Sequence, residues 1–332
     1  MKIFRKIVLT AAIAALSIAM LVACNGGGGG NGGVGGDEDK TGGYGNLCIE
    51  DVTVYINGNG NKTFAEITPV FTVPEKAEEL AYTYDATQIK IENNIVTPLK
   101  RNDQTVNVRA KSEHFNVVFK VEVEYIRFTG AEASTLYDVS RFSGGISNGA
   151  NKCKTATSDT TLFIGDSFTD DHFIGEYMSG YSSDKHAMNA GISSTTSYHW
   201  EACYSSVIGT ATPKNIAMHV GTNNFYDAHD SVEDTVNSLK RLFMFMHDSY
   251  PTTNIYWFDI TQRADTSFAS QVTETNRELA NWCAKYDWIT CVDTCSKITV
   301  GMLRDDGVHP KTESYKVFTD ALSEAGCVIV NK

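Results

Sequence analysis

Thr161-Leu-Phe-Ile-Gly-Asp-Ser-Phe-Thr169 decides the reading of this chain. A short apolar run ends in Gly165, Asp166 and Ser167. Such a run reads as a buried strand that delivers a serine at its C-terminal end, where open α/β sheets place their ligands. By itself a Gly-Asp-Ser after a strand is more often a plain turn. Its weight comes from three later stretches: Asn189-Ala-Gly191, Gly221-Thr-Asn-Asn224 and Asp306-Gly-Val-His-Pro310.

Around these stretches strands and helices alternate. Thr161–Ser167, His186–Gly191, Asn215–Gly221, Asn254–Ile260 and Trp288–Val292 are apolar strand candidates. Ser231 to His247 carries Val232, Val236, Leu239, Phe243 and Met246 at helical spacing, with Ser231 and Asp234 placed as a cap. Ala269 to Tyr286 has a similar period. Lys311 to Ala325 closes the chain, with Pro310 at a favoured first helical position. Alternation of this length predicts an α/β fold, a parallel sheet with helices on both faces. The Phe243-Met-Phe-Met246 stripe reads as helix packing.

The chemistry follows from residue types. A serine hydroxyl needs a base to become a nucleophile, and the base needs an orienting partner. His309 is the best base for Ser167. Asp306 lies three residues earlier, across Gly307, whose turn would bring both side chains to one side. The developing oxyanion needs donors already in place. Asn223 offers a side-chain amide, Gly191 a closely approaching backbone N–H, and Ser167 its own N–H. An isolated Asp-Gly-Val-His-Pro is also a capped loop entering a helix; the four strand-end features together point to one active site.

With these residues in view, the stretch 159–332 resembles the SGNH/GDSL hydrolases. That resemblance implies a flavodoxin-like sheet, a covalent acyl-enzyme and no cofactor or metal. It implies Ser167, Asp306 and His309 as the triad, and Ser167, Gly191 and Asn223 as the oxyanion donors. The third block of that family usually ends in Asp; here Asn224 stands there, which should alter local hydrogen bonding and spare Asn223. The block Gly165-Asp-Ser-Phe-Thr169 lacks the Gly-x-Ser-x-Gly of an α/β-hydrolase. His172, Tyr198 and Trp200 are substrate-binding candidates, with a solvated helix start and core packing as their bland readings. His219, inside a strand, reads as a satisfied core histidine. No phosphate cradle or dinucleotide fingerprint is present.

The rest of the chain places this unit. Lys2, Arg5 and Lys6 precede an apolar run, Ile7 to Met20, shorter than the roughly 20 residues of a membrane span. Leu21-Val-Ala-Cys24 resembles the lipobox of bacterial lipoproteins, which implies lipidation at Cys24. Residues 1–24 are then a signal peptide and 25–46 a Gly-rich tether that cannot bury a core. The protein is expected in the cell envelope, outside the cytoplasm, with membrane contact only through the lipid. Residues 47–127 read as short strands, among them Val52–Ile56, Gln88–Ile91, Thr105–Arg109 and Phe115–Val123, separated by turns at Asn57–Gly60 and Asn93-Asn94. They resemble a bacterial Ig-like sandwich. Residues 128–158 read as a connection. Of eight cysteines, seven remain if Cys24 is lipidated. Cys291 and Cys295 have no histidine at metal-ligand spacing, so a core or disulfide role fits them better.

The net charge of −12 argues against a nucleic-acid partner and against docking on anionic lipid. The loops near the expected site are small and polar: Ser193–Ser197, Asp227–Asp230, Asp305-Asp306. They favour an acylated glycan or a small ester over a long acyl chain. The expected activity is removal of short acyl groups, acetyl first, from a carbohydrate. A lipase or lysophospholipase of the same family, or a non-catalytic glycan-binding domain, are the alternatives.

Overall fold

The computed structural model describes residues 32–35, 44–180, 186–327 and 329. The signal segment 1–24 with Cys24, and most of the tether 25–46, lie outside the described residues. Two compact units divide the chain, Met1–Ile126 and Arg127–Lys332.

The described part of the first unit is all-β. Strands Val52–Asn57, Asn116–Ile126, Gln104–Lys111 and Ala81–Thr83 form one sheet in that order, and Ala65–Glu66, Ile95–Pro98 and Ile89–Glu92 form another. Alternating burial along Gln104–Lys111 and Asn116–Ile126 sends Val106, Val108, Val117, Phe119, Val121 and Val123 into one core, as a half-buried sheet requires. Asn93 and Asn94 both adopt positive φ, 51° and 62°. That is the two-residue hairpin geometry that asparagine tolerates.

The second unit is the expected α/β fold. Its strands are β1 (Thr161–Gly165), β2 (Ala187–Asn189), β3 (Asn215–His219), β4 (Asn254–Phe258) and β5 (Ile289–Val292). They run parallel in the order β2-β1-β3-β4-β5, a doubly wound order whose switch point lies beside β1 and β3. Its helices are α1 (Ser143–Cys153), α2 (Asp171–Met178), α3 (Ser197–Ile208), α4 (Thr222–Tyr226), α5 (Val232–Ser249), α6 (Ala269–Cys283) and α7 (Lys316–Glu324).

Both sheet faces are covered. Phe163, Ala217, Tyr256 and Phe258 pack with Ile174 and Met178 of α2 and Phe318 and Leu322 of α7. On the opposite face Trp257 meets Phe243 of α5, which in turn stacks on Trp282 of α6. Buried rings of this size each contribute about 1.5–3 kcal/mol by leaving water. Ser231 caps α5 by accepting from the Asp234 N–H at 3.0 Å.

Two expectations need correction. Residues 128–158 are not a bare connection: α1 lies within them and packs on α3, where a Cβ on Gly149 would lie only 3.0 Å from Val207 Cγ1. Helix α7 starts at Lys316, after a 3-10 turn at Thr312–Tyr315, rather than at Lys311. The cause is upstream. Leu303 and Pro310 form an antiparallel bridge, and the Lys311 N–H donates to the Met302 carbonyl at 2.9 Å. Pro310 is thereby held out of the helix, and the His309 carbonyl accepts from the Arg304 N–H at 2.7 Å.

Candidate active site

Four of the five strands stop short of their expected ends, and the fifth ends at Val292 as expected. β1 ends at Gly165, not Ser167, because Gly165 takes φ +125° and turns the chain. A Cβ there would lie 1.8 Å from the His219 carbonyl oxygen, so only glycine allows β1 and β3 to pair at this point. The turn that follows is stitched by Asp166, whose Oδ1 accepts from the Phe168 N–H at 3.0 Å and caps the short 3-10 turn Ser167–Thr169. Ser167 is thus presented beyond the sheet end, and its own N–H makes no hydrogen bond among the described residues.

His309 reaches it from the far end of the chain. Its Nε2 lies 2.8 Å from Ser167 Oγ, and its Nδ1 lies 2.8 Å from Asp306 Oδ2. An ionised carboxylate only accepts, so Nδ1 carries the proton and Nε2 is the acceptor for the serine hydroxyl. The Asp306 turn is preset. Its Oδ1 accepts from the N–H groups of Val308 and His309 at 2.8 and 2.9 Å, and Gly307 sits at φ +68°. Burial opposes the Asp306 charge, but the hydrogen bonds from His309 and Val308 more than offset it and hold the carboxyl at about 2. Burial also pushes the His309 imidazole below the ordinary histidine value, against the pull of Asp306. Phe173 of α2 stacks on the ring, centroids 3.6 Å apart. Sequence reasoning did not single out Phe173; its position two residues past a helix start gives no signal of that contact.

Asn223 lies in the first turn of α4, just past β3. Its Nδ2 donates to the Thr195 carbonyl at 3.0 Å, which leaves the second amide hydrogen unspent. Its Oδ1 accepts from Arg263 Nη2 at 3.1 Å.

Gly191 does not behave as expected. Its N–H donates to the Thr169 carbonyl at 3.2 Å, so it is not free to serve an oxyanion. Glycine is needed there for packing, since a Cβ would meet Thr169 Oγ1 at 2.3 Å. The residue better placed is Ser194, which is exposed, takes φ +61° and has an uncommitted N–H. Its turn is clamped to the nucleophile loop on both sides. The Ile192 N–H donates to the Gly165 carbonyl at 2.8 Å, and the Ser193 N–H to Asp170 Oδ2 at 3.1 Å. Thr195, on the other side, accepts from Asn223. A non-glycine residue in the left-handed region was the missed signal, and it is invisible without coordinates.

The other candidates divide. His172 is exposed on the first turn of α2, edge-on to Phe173. Trp200 is fully buried in α3 and donates its indole N–H to Thr195 Oγ1 at 2.9 Å; Tyr198 is 8% exposed. Neither can stack on a sugar, because both rings are buried, Tyr198 edge-on against Tyr137. Burial, and a hydrogen bond with Asp230, push the Tyr198 phenol up. Asn224 donates to Ser197 Oγ at 2.7 Å and to Asp230 Oδ2 at 2.9 Å. An aspartate at 224 would set two carboxylates against each other, so Asp230 accounts for the amide. His219 is fully buried, with Nδ1 3.0 Å from Asp166 Oδ1. Cys291 and Cys295 are free thiols, and no cluster of ligating side chains that could hold a metal ion occurs among the described residues.

No family model and no curated protein matches the chain. Solved structures to which it is similar include a GDSL-like lipase from Bacteroides thetaiotaomicron, with a TM-score of 0.46 and 15% identity over 54% of this chain and 96% of the other. A carbohydrate esterase family 3 protein from Talaromyces cellulolyticus gives 0.43 and 16% over 50% and 95%. A catalytic mutant of an acetylxylan esterase from Geobacillus stearothermophilus gives 0.42 and 17% over 53% and 98%.

Proposed function

We propose that this protein is a serine ester hydrolase of the SGNH/GDSL kind that removes short acyl groups, acetyl above all, from a glycan outside the cell. The observation that carries the reading is the unbroken path from Ser167 Oγ through His309 to Asp306, with 2.8 Å at each step.

In this reading Ser167 Oγ attacks the ester carbonyl while His309 Nε2 takes its proton. Asp306 keeps Nδ1–H in place and stabilises the imidazolium. The oxyanion is met by the Ser167 N–H, the spare Asn223 Nδ2–H and the Ser194 N–H, the last in place of Gly191. The alcohol leaves with the proton from His309. Water then attacks the acyl-enzyme by the same route, and the acid is released with Ser167 restored.

The preference for small acyl groups on a carbohydrate is supported by a polar surround: Asp170, His172, Ser193, Ser194 and the exposed part of the Asp306 turn. With Tyr198 and Trp200 buried, no aromatic platform from α3 contributes. The all-β unit, as an Ig-like spacer, and a lipid on Cys24 would hold the enzyme off the membrane near a polymer. Acetate release from acetylated xylan, and hydrolysis of p-nitrophenyl esters from acetyl to octanoyl, test the reading against Ser167→Ala. The expected result is kcat/KM falling with chain length and no activity without Ser167. Preference for octanoyl with no acetate from the glycan makes it a lipase. Equal rates in wild type and Ser167→Ala make it a binding module.

A further inference from the structure

Arg263 is unaccounted for by the sequence motifs, yet it sits where three parts of the site meet. It lies in the loop after β4, half-buried, with its Nε donating to Thr222 Oγ1 at 3.0 Å and its Nη2 to Asn223 Oδ1 at 3.1 Å. Tyr226, one turn further along α4, lies under the guanidinium at 3.7 Å from its ring centroid. The neighbouring Ala264 N–H donates to the Gly307 carbonyl at 2.8 Å, inside the Asp306–His309 turn. One short loop therefore touches the amide donor and the base at once.

We propose that Arg263 is the positioning residue of the oxyanion site, selecting the one orientation of the Asn223 amide in which its N–H groups serve the reaction. The argument is one of donors and acceptors. An amide can rotate by half a turn at little steric cost, which would exchange Oδ1 and Nδ2. Arginine has only donors, so the atom facing Arg263 must be the oxygen. On the other side the Thr195 carbonyl only accepts, so the atom facing it must be the nitrogen. The two partners enforce the same answer. A cation on Oδ1 also draws charge from the amide and makes its N–H groups stronger donors. The stacking on Tyr226 and the bond to Thr222 hold the guanidinium in place from below, and both partners belong to the same short helix as Asn223.

The same cation bears on the base. The charged groups around His309 are Asp306 on its own turn, Asp166 at the end of β1 and Arg263 on the loop after β4. The two carboxylates favour the imidazolium, and Arg263 opposes it.

This inference rests on the hydrolase reading, and a double-mutant cycle on p-nitrophenyl acetate separates the two. Arg263→Met should lower kcat about 10- to 100-fold, part of the roughly 10²–10³ that a whole donor is worth, with KM within about threefold. In an Asn223→Ala background the further loss should be under about threefold, because no amide remains to be oriented. The acid limb of kcat/KM should move to higher pH in Arg263→Met and stay in place in Arg263→Lys, which keeps the charge and loses the two-point grip. Should Arg263→Met fail to fold, Arg263→Lys carries the same cycle. An equal loss in both backgrounds, an unchanged kcat, or a change confined to KM would overturn the positioning role. Wild-type activity that survives Ser167→Ala would instead overturn the hydrolase reading itself.

Discussion

Two aspartate–histidine pairs flank Ser167, and they differ in everything but chemistry. Asp306 and His309 are three residues apart on a surface turn. Asp166 and His219 come from two strand ends and are fully buried. In each pair the carboxylate holds Nδ1. What differs is the partner of the other nitrogen. In the outer pair Nε2 faces the serine hydroxyl at 2.8 Å. In the inner pair it faces Thr261 Oγ1 at 3.4 Å, with Phe168 stacked on the ring at 3.9 Å. A histidine becomes a base when its free nitrogen meets a group that can lose a proton to it, in reach of substrate. Fully buried and out of reach of substrate, the same pair is a strut.

The sharpest way to break this comparison is to remove each histidine. His309→Ala should lower kcat by about 10⁴-fold or more, as should Ser167→Ala, and the double variant should be little worse, because the residues act as a unit. Folding stability should change less than on loss of the inner pair, since Asp306 is exposed and His309 only partly buried against Phe173; equilibrium denaturation checks it. Asp306→Asn should cost up to about 10⁴-fold in kcat, through the wrong tautomer, with KM nearly preserved. Should His309→Ala remain active while His219→Ala is dead, the two roles are reversed.

Asn223→Ala comes next, with kcat reduced about 10²–10³-fold and a smaller effect on KM. Steady-state kinetics on one short ester is sufficient. The inner pair should respond in the other currency. His219→Ala leaves Asp166 buried without its partner and should lower the free energy of unfolding by about 3–5 kcal/mol. The folded fraction should keep far more activity than His309→Ala does.

The smallest effect is on pH dependence. Burial depresses the His309 imidazole below its ordinary value, near 6.5 for an unperturbed ring. The base works when neutral. Activity should therefore persist below that pH and be lost only as pH falls through the depressed value. An acid limb of kcat/KM above the ordinary histidine range would mean that the carboxylates of Asp306 and Asp166 dominate the ring instead.

Much of this was legible in the chain itself. The apolar run before Ser167, the helical period of α5 and its Ser231 cap are local patterns, set by hydrophobic periodicity and backbone satisfaction. They imply a parallel sheet and a serine at its edge. The Asp306–His309 geometry is local too, because three residues and a glycine turn suffice to bring a carboxylate to its imidazole. What was not legible depends on partners distant in sequence. Gly191 could be read as a donor until Thr169 was seen to take its N–H. Ser194 could not be read at all, since its left-handed backbone belongs to a turn that Ile192 and Ser193 tie to Gly165 and Asp170. Tyr198 and Trp200 looked like a platform because their side chains suit one. Only the packing of α3 decided that both face inward. Arg263 carries no motif, and its meaning comes from a loop forty residues beyond the amide it holds. Sequence by itself determined which chemistry the chain could assemble, because that depends on residue types and short-range turns. Tertiary structure decided which N–H groups, rings and cations are free to take part, because each polar group can be spent only once and the spending is done by residues brought together by the fold.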